Sequence, residues 1–476
     1  MIDNVMTDFF FYNFATRLIL YISYLVLFYY VVICIVNAKQ LVLALSSIPS
    51  YMRKAKFMDV RTYSQSTNVP PFSILVPAYN EEKTIIESIK SLLDLNYSVY
   101  EIIIINDGST DATLEIVKNV FKLKPVNYPL RPKLSTEEVL EVYSNPDFPL
   151  LLVDKKNGGK ADALNAGINI SQYPYFVSID ADSLLDPDAL TRLALAFLEY
   201  KYTIAVGGVV RVVNGSIVKD GKIVEPSVPA KSIERFQAVE YLRAFLIGRT
   251  GWGYFNLLLI VSGAFGAFQK GTVIEVGGYT TDTVGEDMEL VLKLHKHMRE
   301  KKYEYKISFL PDPVCWTQAP TTVRELVNQR SRWQVGLIDS LNRNREMAFN
   351  RKYGYLGMVS MPYYILCEMM GPIVEIVGII SIPLAYYFGI LSFEFLMVYI
   401  LLSVVFGVII SMGSLMLEEY TLNKYPKLSD IIVLGIYSVL ENFSYRPFTM
   451  LIRLNAILFY RKYKHSWGKA KRKRFM

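Results

Sequence analysis

The chain has 476 residues, of which 52% are hydrophobic and 20% charged, and a net charge of +7. That hydrophobic share exceeds the soluble norm and the charged share excludes a wholly embedded protein, so a soluble domain joined to membrane spans is expected. Three cysteines and three histidines, with no CxxC, point to neither a disulfide scaffold nor a His-rich metal centre. From Leu18 to Val36, nineteen residues carry no charge. At about 1.5 Å per residue they nearly cross a hydrocarbon core. Asp3 and Asp8 before the run, and no small-residue cleavage site after it, argue against a signal peptide. Lys39, Arg53, Lys54, Lys56 and Arg61 follow the run, whereas only Arg17 precedes it. The positive-inside rule then expects the next domain in the cytoplasm. The layout read here is a span at about 17–37 within residues 1–50, then a linker over 51–70.

Strands and helices alternate beyond the linker. "FSILVPAYN" (Phe72–Asn80) reads as a buried strand. "EEKTIIESIKSLLDL" follows as a helix, with Ile85, Ile86, Ile89, Leu92 and Leu93 at helical spacing. "EIIIINDGSTDA", "LLLVDKKNGGKADALNAGI" and "YFVSIDAD" repeat the pattern. Such runs predict an α/β domain with a mostly parallel sheet and a ligand site beyond the strands' carboxyl ends. Those ends carry Asn80, Glu81 and Glu82, then Asp107, then Asp154, Lys155 and Lys160, then Asp180 and Asp182. Asp186 before Pro187 predicts a helix N-cap with proline at the first helical position, and Asp188 complements the dipole. Asp180 and Asp182 lack that explanation. Leu184 and Leu185 exclude an EF-hand, whereas two carboxylates suit Mg²⁺ or Mn²⁺ shared with a substrate's phosphates. Gly158 and Gly159 allow close backbone approach, and Lys160 adds a cation at a helix start.

No Lys or Arg occurs between Lys352 and Lys424. That length holds two spans, roughly 357–388 and 395–417, within 353–420. Glu368 and Glu375, seven apart, are expected on one face of the first, toward a bundle interior or an aqueous path. Glu441, Asn442 and Arg446 interrupt 431–452, which reads as a partly inserted or interfacial helix within 421–476. The tail from Arg461 carries eight Lys or Arg and no acid, which suits an anionic membrane surface; no nucleic-acid partner is expected.

Six motifs follow in order: "PAYNEE" (Pro77–Glu82), "NDGSTD" (Asn106–Asp111), "GGKADALN" (Gly158–Asn165), "DAD" (Asp180–Asp182), "GED" (Gly285–Asp287) and "QRSRW" (Gln329–Trp333). The ordered set resembles family 2 glycosyltransferases over about residues 72–345, and within them the membrane-embedded processive β-glycan synthases, the group of cellulose, hyaluronan and poly-N-acetylglucosamine synthases. The resemblance implies a Rossmann-like GT-A domain over 71–320, flanked by transmembrane helices, with interfacial helices carrying QxxRW over 321–352. It implies inverting transfer from a UDP-sugar to a growing β-linked glycan by a multi-pass membrane protein. It places nucleotide-sugar contacts at Ala78, Asn80, Glu82, Asp107, Lys160 and Asp180, and Mg²⁺ or Mn²⁺ at Asp182. It makes Asp287 the general base, and gives Gln329, Arg332 and Trp333 the diphosphate and the acceptor end. The implied partners are the UDP-sugar donor, a glycan or lipid-linked acceptor and membrane lipids. A non-processive enzyme acting on a lipid or lipid-linked acceptor is the alternative. The residue types suit this chemistry, because a departing diphosphate needs cations and a sugar hydroxyl needs a base. Two positions depart from the pattern. Asn106 stands where many members have Asp, and Gly285 replaces a common Thr, a change expected to matter little. "SGAFGAF" (Ser262–Phe268) reads equally as acceptor floor or as core strand and turn.

Overall fold

A computed structural model of the chain describes residues 2–57, 69–130, 132–425 and 427–464. Residues 58–68 of the expected linker and the basic tail beyond Lys464 lie outside the described residues.

The four strands read from the sequence form the centre of the sheet. β1 (Phe72–Ala78) pairs in parallel with β2 (Tyr100–Asp107). Two short strands follow in the chain, β3 (Lys124–Pro125) and β4 (Val139–Ser144). β5 (Leu150–Lys155) pairs in parallel with β2, and β6 (Tyr175–Ile179) with β1. Ile102 to Ile105 of β2 are 0% exposed, and each such side chain contributes about 1.5–3 kcal/mol by leaving water. The flanks differ from a purely parallel sheet. β7 (Ser183–Leu185) and β8 (Thr203–Val212) come next, and β9 (Ile217–Lys219) with β10 (Lys222–Glu225) makes a separate ribbon. β11 (Phe265–Gln269) lies antiparallel between β6 and β8. β12 (Lys306–Thr317) runs parallel to β8 and antiparallel to β7. The ten-stranded order is β3-β4-β5-β2-β1-β6-β11-β8-β12-β7. The sheet is thus parallel where the motifs sit and mixed at its edges.

Asp186 does not cap the helix that follows it. That helix is Ala189–Glu199, with Asp188 at the cap position and no side-chain capping bond. β7 pairs with β12 through Leu185, so Asp186 still lies at the sheet edge. There its carboxylate accepts from Trp316 Nε1 at 2.9 Å and Lys424 Nζ at 2.6 Å. Asp188 accepts from Asn96 Nδ2 at 2.8 Å.

The N-terminal helix, Ile2–Phe57, extends well past the expected span, and Asn13–Lys54 is apolar enough to cross a membrane. Phe393–Thr421 is a second such helix. Between them Leu356–Met369 and Gly371–Tyr387 form a pair bent by 50°. Pro372 opens the second half, where a missing N–H costs least. The bend lies between Glu368 and Glu375, so the two stand on different halves of the pair. Glu368 pairs with Arg453 at 3.3 Å, whereas Glu375 accepts from the Tyr29 hydroxyl at 3.2 Å. The stretch read as one interfacial helix is two, Leu428–Leu440 and Tyr445–Leu458. The chain breaks at Glu441, whose carboxylate accepts from Ser411 Oγ at 2.5 Å and Arg446 Nη2 at 2.8 Å.

Candidate active site

β6 stops at Ile179, and the tight turn before β7 carries Asp180 and Asp182. Asp180 Oδ1 lies 2.5 Å from Lys160 Nζ. Asp182 is 2% exposed and accepts from Thr317 Oγ1, on β12, at 3.4 Å. Lys160 is the first residue of the helix Lys160–Ile170. Gly159 precedes it at φ +89°, a left-handed conformation that glycine adopts without steric cost. Burial opposes charge on Lys160, but Asp180, Glu286 and Asp287 around it leave its pKa raised. Glu286 Oε1 lies 3.8 Å from the same ammonium. Burial pushes the Glu286 carboxyl up, and Lys160 counters part of that shift.

Asp287 sits in the first turn of the helix Glu286–Glu300 and its Oδ2 accepts from Gly263 N at 2.9 Å. The Gly263 carbonyl in turn accepts from Lys160 Nζ at 3.1 Å. One glycine therefore bridges the lysine and the aspartate. "SGAFGAF" divides accordingly: Ser262, Gly263 and Ala264 line the cavity described next, while Phe265–Gln269 is the core strand β11.

The helix Val323–Arg343 opens on a capping box, in which Thr322 Oγ1 accepts from Glu325 N and Glu325 Oε2 from Thr322 N. Gln329, Trp333 and Gly336 recur at helical spacing along one face, with Arg332 beside them. This face closes a cavity of about 420 Å³. Lys160, Asp180, Asp182 and Asp287 line it from the sheet side. Gln329, Arg332 and Trp333 line it from the helix side. Asp180 and Asp182 suit a hard cation whose remaining ligands are phosphate oxygens and water. Among the described residues no cluster of three or more His, Cys, Asp or Glu is placed to hold a metal without such help.

Ala78, Asn80, Glu82 and Asp107 do not line this cavity. Ala78 is buried at the end of β1. Asn80, at φ +58°, accepts from Thr110 N at 2.8 Å and Asp111 N at 3.3 Å. Glu82 accepts from Ala112 N at 3.3 Å. These side chains tie the loop after β1 to the loop after β2. Asp107 accepts from Lys155 Nζ at 2.7 Å, Asn157 Nδ2 at 3.1 Å, Gly158 N at 3.0 Å and Gly159 N at 2.8 Å. It thereby sets the turn that presents Lys160. Asn106 donates to Asp154 Oδ1 at 2.7 Å, where an aspartate would place two carboxylates together.

The expectation for Gly285 is also overturned. A Cβ built on Gly285 would lie 2.8 Å from the Gly336 Cα, so the GED turn meets the QxxRW helix backbone to backbone. A threonine there does not fit, and the departure at Gly285 matters. Other cavity residues escaped the motif reading. Arg330 is buried and bonds Glu240 Oε2 at 2.5 Å and the Tyr445 hydroxyl at 3.0 Å. It also donates to Gln329 Oε1 at 2.8 Å and lies 4.1 Å from the centre of the Trp333 ring, fixing both neighbours. Its position inside "QRSRW" was the available signal. Arg249, Tyr364 and Arg453 also line the cavity, and only folding brings them there.

The family profile described as glycosyl transferase family 2 matches residues 73–236. That of glycosyl transferase family group 2 matches residues 175–410. A poly-β-1,6-N-acetyl-D-glucosamine synthase of Staphylococcus epidermidis is 30% identical over 316 residues, 64% of this chain and 66% of that protein. The synthase of the same name from Staphylococcus aureus strain COL is 34% identical over 270 residues, 56% of this chain and 54% of that protein. The chain thus spans between about half and two thirds of the length of these curated relatives. A solved mannosyltransferase of Pyrobaculum calidifontis, in complex with GDP-Man and Mn²⁺, aligns at a TM-score of 0.47 and 18% identity, over 86% of this chain and 99% of that one. With both family profiles matched across 73–410, and the motifs arranged on a GT-A-like α/β sheet, the chain belongs to glycosyltransferase family 2.

Proposed function

We propose that the chain moves a sugar from a UDP-sugar, with inversion, to a growing β-linked glycan at the cytoplasmic face of a membrane. The observation that carries this reading is one cavity that joins Asp287, the Lys160–Asp180 pair and the QxxRW side chains to Glu368 beside the bent span. The relatives' printed names make UDP-N-acetylglucosamine the first donor to test.

In this reading Asp287 takes the proton of the acceptor hydroxyl. The acceptor oxygen then bonds to the anomeric carbon as the bond to the diphosphate breaks on the opposite face. Lys160 and Arg332 bear the charge of the departing UDP. Trp333, half exposed, offers its ring to the acceptor sugar. Asp107 and the loops bound by Asn80 and Glu82 hold the nucleotide side and fix the Lys160 turn. Bound at Asp182, Mg²⁺ or Mn²⁺ supplies further positive charge at the diphosphate. Cavity contact with the bent span favours a processive enzyme whose product leaves through the membrane helices. Addition of one sugar to a lipid-linked acceptor is the competing outcome.

The reading is tested by measuring UDP release from a panel of UDP-sugars with purified protein, membrane lipids and Mg²⁺ or Mn²⁺. Release with at least one donor is expected; none with any donor contradicts it. Asp182→Ala is expected to abolish both activity and the metal dependence of donor binding. Calorimetric donor titrations with and without Mg²⁺ check this, and an unchanged metal response removes Asp182 as the ligand.

A further inference from the structure

Three of the cavity's cations are matched by acids. Lys160 pairs with Asp180, Arg330 with Glu240 and Arg453 with Glu368. Arg332 has the diphosphate as its expected ligand. Arg249 is left over: it makes no hydrogen bond or ion pair to any described residue, and its Nη1 is shielded from solvent with no partner. Its guanidinium carbon lies 3.9 Å from the centre of the Phe245 ring. A guanidinium nitrogen shielded from water without a hydrogen-bond partner is costly, and all the hydrogen-bonding groups of arginine are donors.

Local structure aims this side chain. Arg249 ends the π-helix Arg243–Arg249, a geometry frequent at functional sites. Ala244, Phe245 and Arg249 line the cavity from that segment, and Tyr241 from the end of the α-helix Ser232–Leu242 before it. The next turn packs on the N-terminal helix, since a Cβ on Gly251 would meet the Gln40 side chain at 2.6 Å. The segment that ends at Arg249 therefore adjoins the N-terminal helix. The polar groups acting on it are Tyr364, Asp287 and Tyr241, whereas those acting on Lys160 begin with Asp180 and Glu286. Asp287 is common to both, and Arg249 lines the same cavity as Tyr364 and Glu368 of the bent span.

We infer that Arg249 forms an acceptor subsite, binding an oxygen on the acceptor that can only accept hydrogen bonds. This rests on the reading of the cavity as a sugar-transfer site. The strong oxygens of this kind are the N-acyl carbonyls of a glycan and the diphosphate of a lipid-linked sugar, whereas the ring and glycosidic ether oxygens common to every glycan accept weakly.

The test uses the full chain in lipid nanodiscs with UDP-N-acetylglucosamine, Mg²⁺ and three acceptors. These are an N-acetylglucosamine oligomer, the same oligomer with free amines, and N-acetylglucosamine on a prenyl diphosphate. Arg249→Met is expected to raise the KM for one oxygen-bearing acceptor by about 10- to 100-fold, the scale of a lost charged hydrogen bond. A rise for the acetylated oligomer, with its advantage over the amine form lost, identifies the carbonyl. A rise confined to the prenyl diphosphate identifies the phosphate. Arg249→Lys is expected to recover part of the loss, and donor affinity by calorimetry is expected to stay unchanged, which also reports folding. Unchanged KM for all acceptors, or a loss of donor affinity, overturns the subsite. Absence of UDP release by the wild-type chain is a separate failure, which removes the transferase reading and the subsite with it.

Discussion

Asp287→Asn is expected to lower sugar transfer by about 10²–10⁴-fold, the usual contribution of a general base. The substitution preserves shape, and an amide oxygen still accepts from Gly263 N, the bond that now holds Oδ2 at 2.9 Å. Basicity is what disappears. Donor affinity is expected to survive, because Lys160 and Asp180 keep their 2.5 Å contact. The comparison variant is Glu286→Gln. Glu286 is 9% exposed and lies 3.8 Å from Lys160, so its loss is expected to disturb donor binding as well as turnover. Turnover from UDP release, set beside donor affinity from calorimetry, separates the two. Full activity in Asp287→Asn removes Asp287 as the base.

Gly285→Thr is expected to be nearly as damaging, although Gly285 touches no substrate in the mechanism above. Its Cβ would press on the Gly336 backbone at 2.8 Å, which cannot swing aside like the end of a long side chain. Ser340 Oγ donates to the Gly285 carbonyl at 3.2 Å and pins the turn from the same helix. The added side chain therefore moves the GED turn away from the QxxRW helix. A shift of about 1 Å at such a junction can cost roughly 10²-fold in rate. Overpacking of this kind typically costs about 1–3 kcal/mol in stability. Gly336→Ala meets Gly285 from the other side at 2.9 Å and is expected to act in the same direction. Turnover and thermal midpoint check both variants, and wild-type turnover in Gly285→Thr contradicts a rigid contact.

The parallel strands were legible in the sequence because each is an apolar run ending beside polar residues. Asp287, Lys160, Asp180, Asp182, Gln329, Arg332 and Trp333 were legible through their motifs, and all line one cavity. Contacts between distant segments were not. Nothing local marks Asp186 as the acceptor for Trp316, so its placement before Pro187 suggested a cap. Gly285 looked interchangeable because the cost of a side chain there comes from Gly336. Glu368 and Glu375 were read on one straight helix, and the span bends by 50° between them. Arg249 belongs to no motif; only the cavity reveals a cation without an acid. Ala78, Asn80, Glu82 and Asp107 were found as motif residues; they do not line the cavity, and the last three tie together the loops beside it.

The central claim is repeated transfer at the Asp287 cavity, and product length tests it most directly. Purified full chain in lipid, supplied with labelled UDP-N-acetylglucosamine and Mg²⁺ or Mn²⁺, is followed for UDP released and for product size. The expected result is many UDP released per product molecule and long chains that appear early, all lost in Asp287→Asn. A product carrying one added sugar per acceptor, or none, contradicts it.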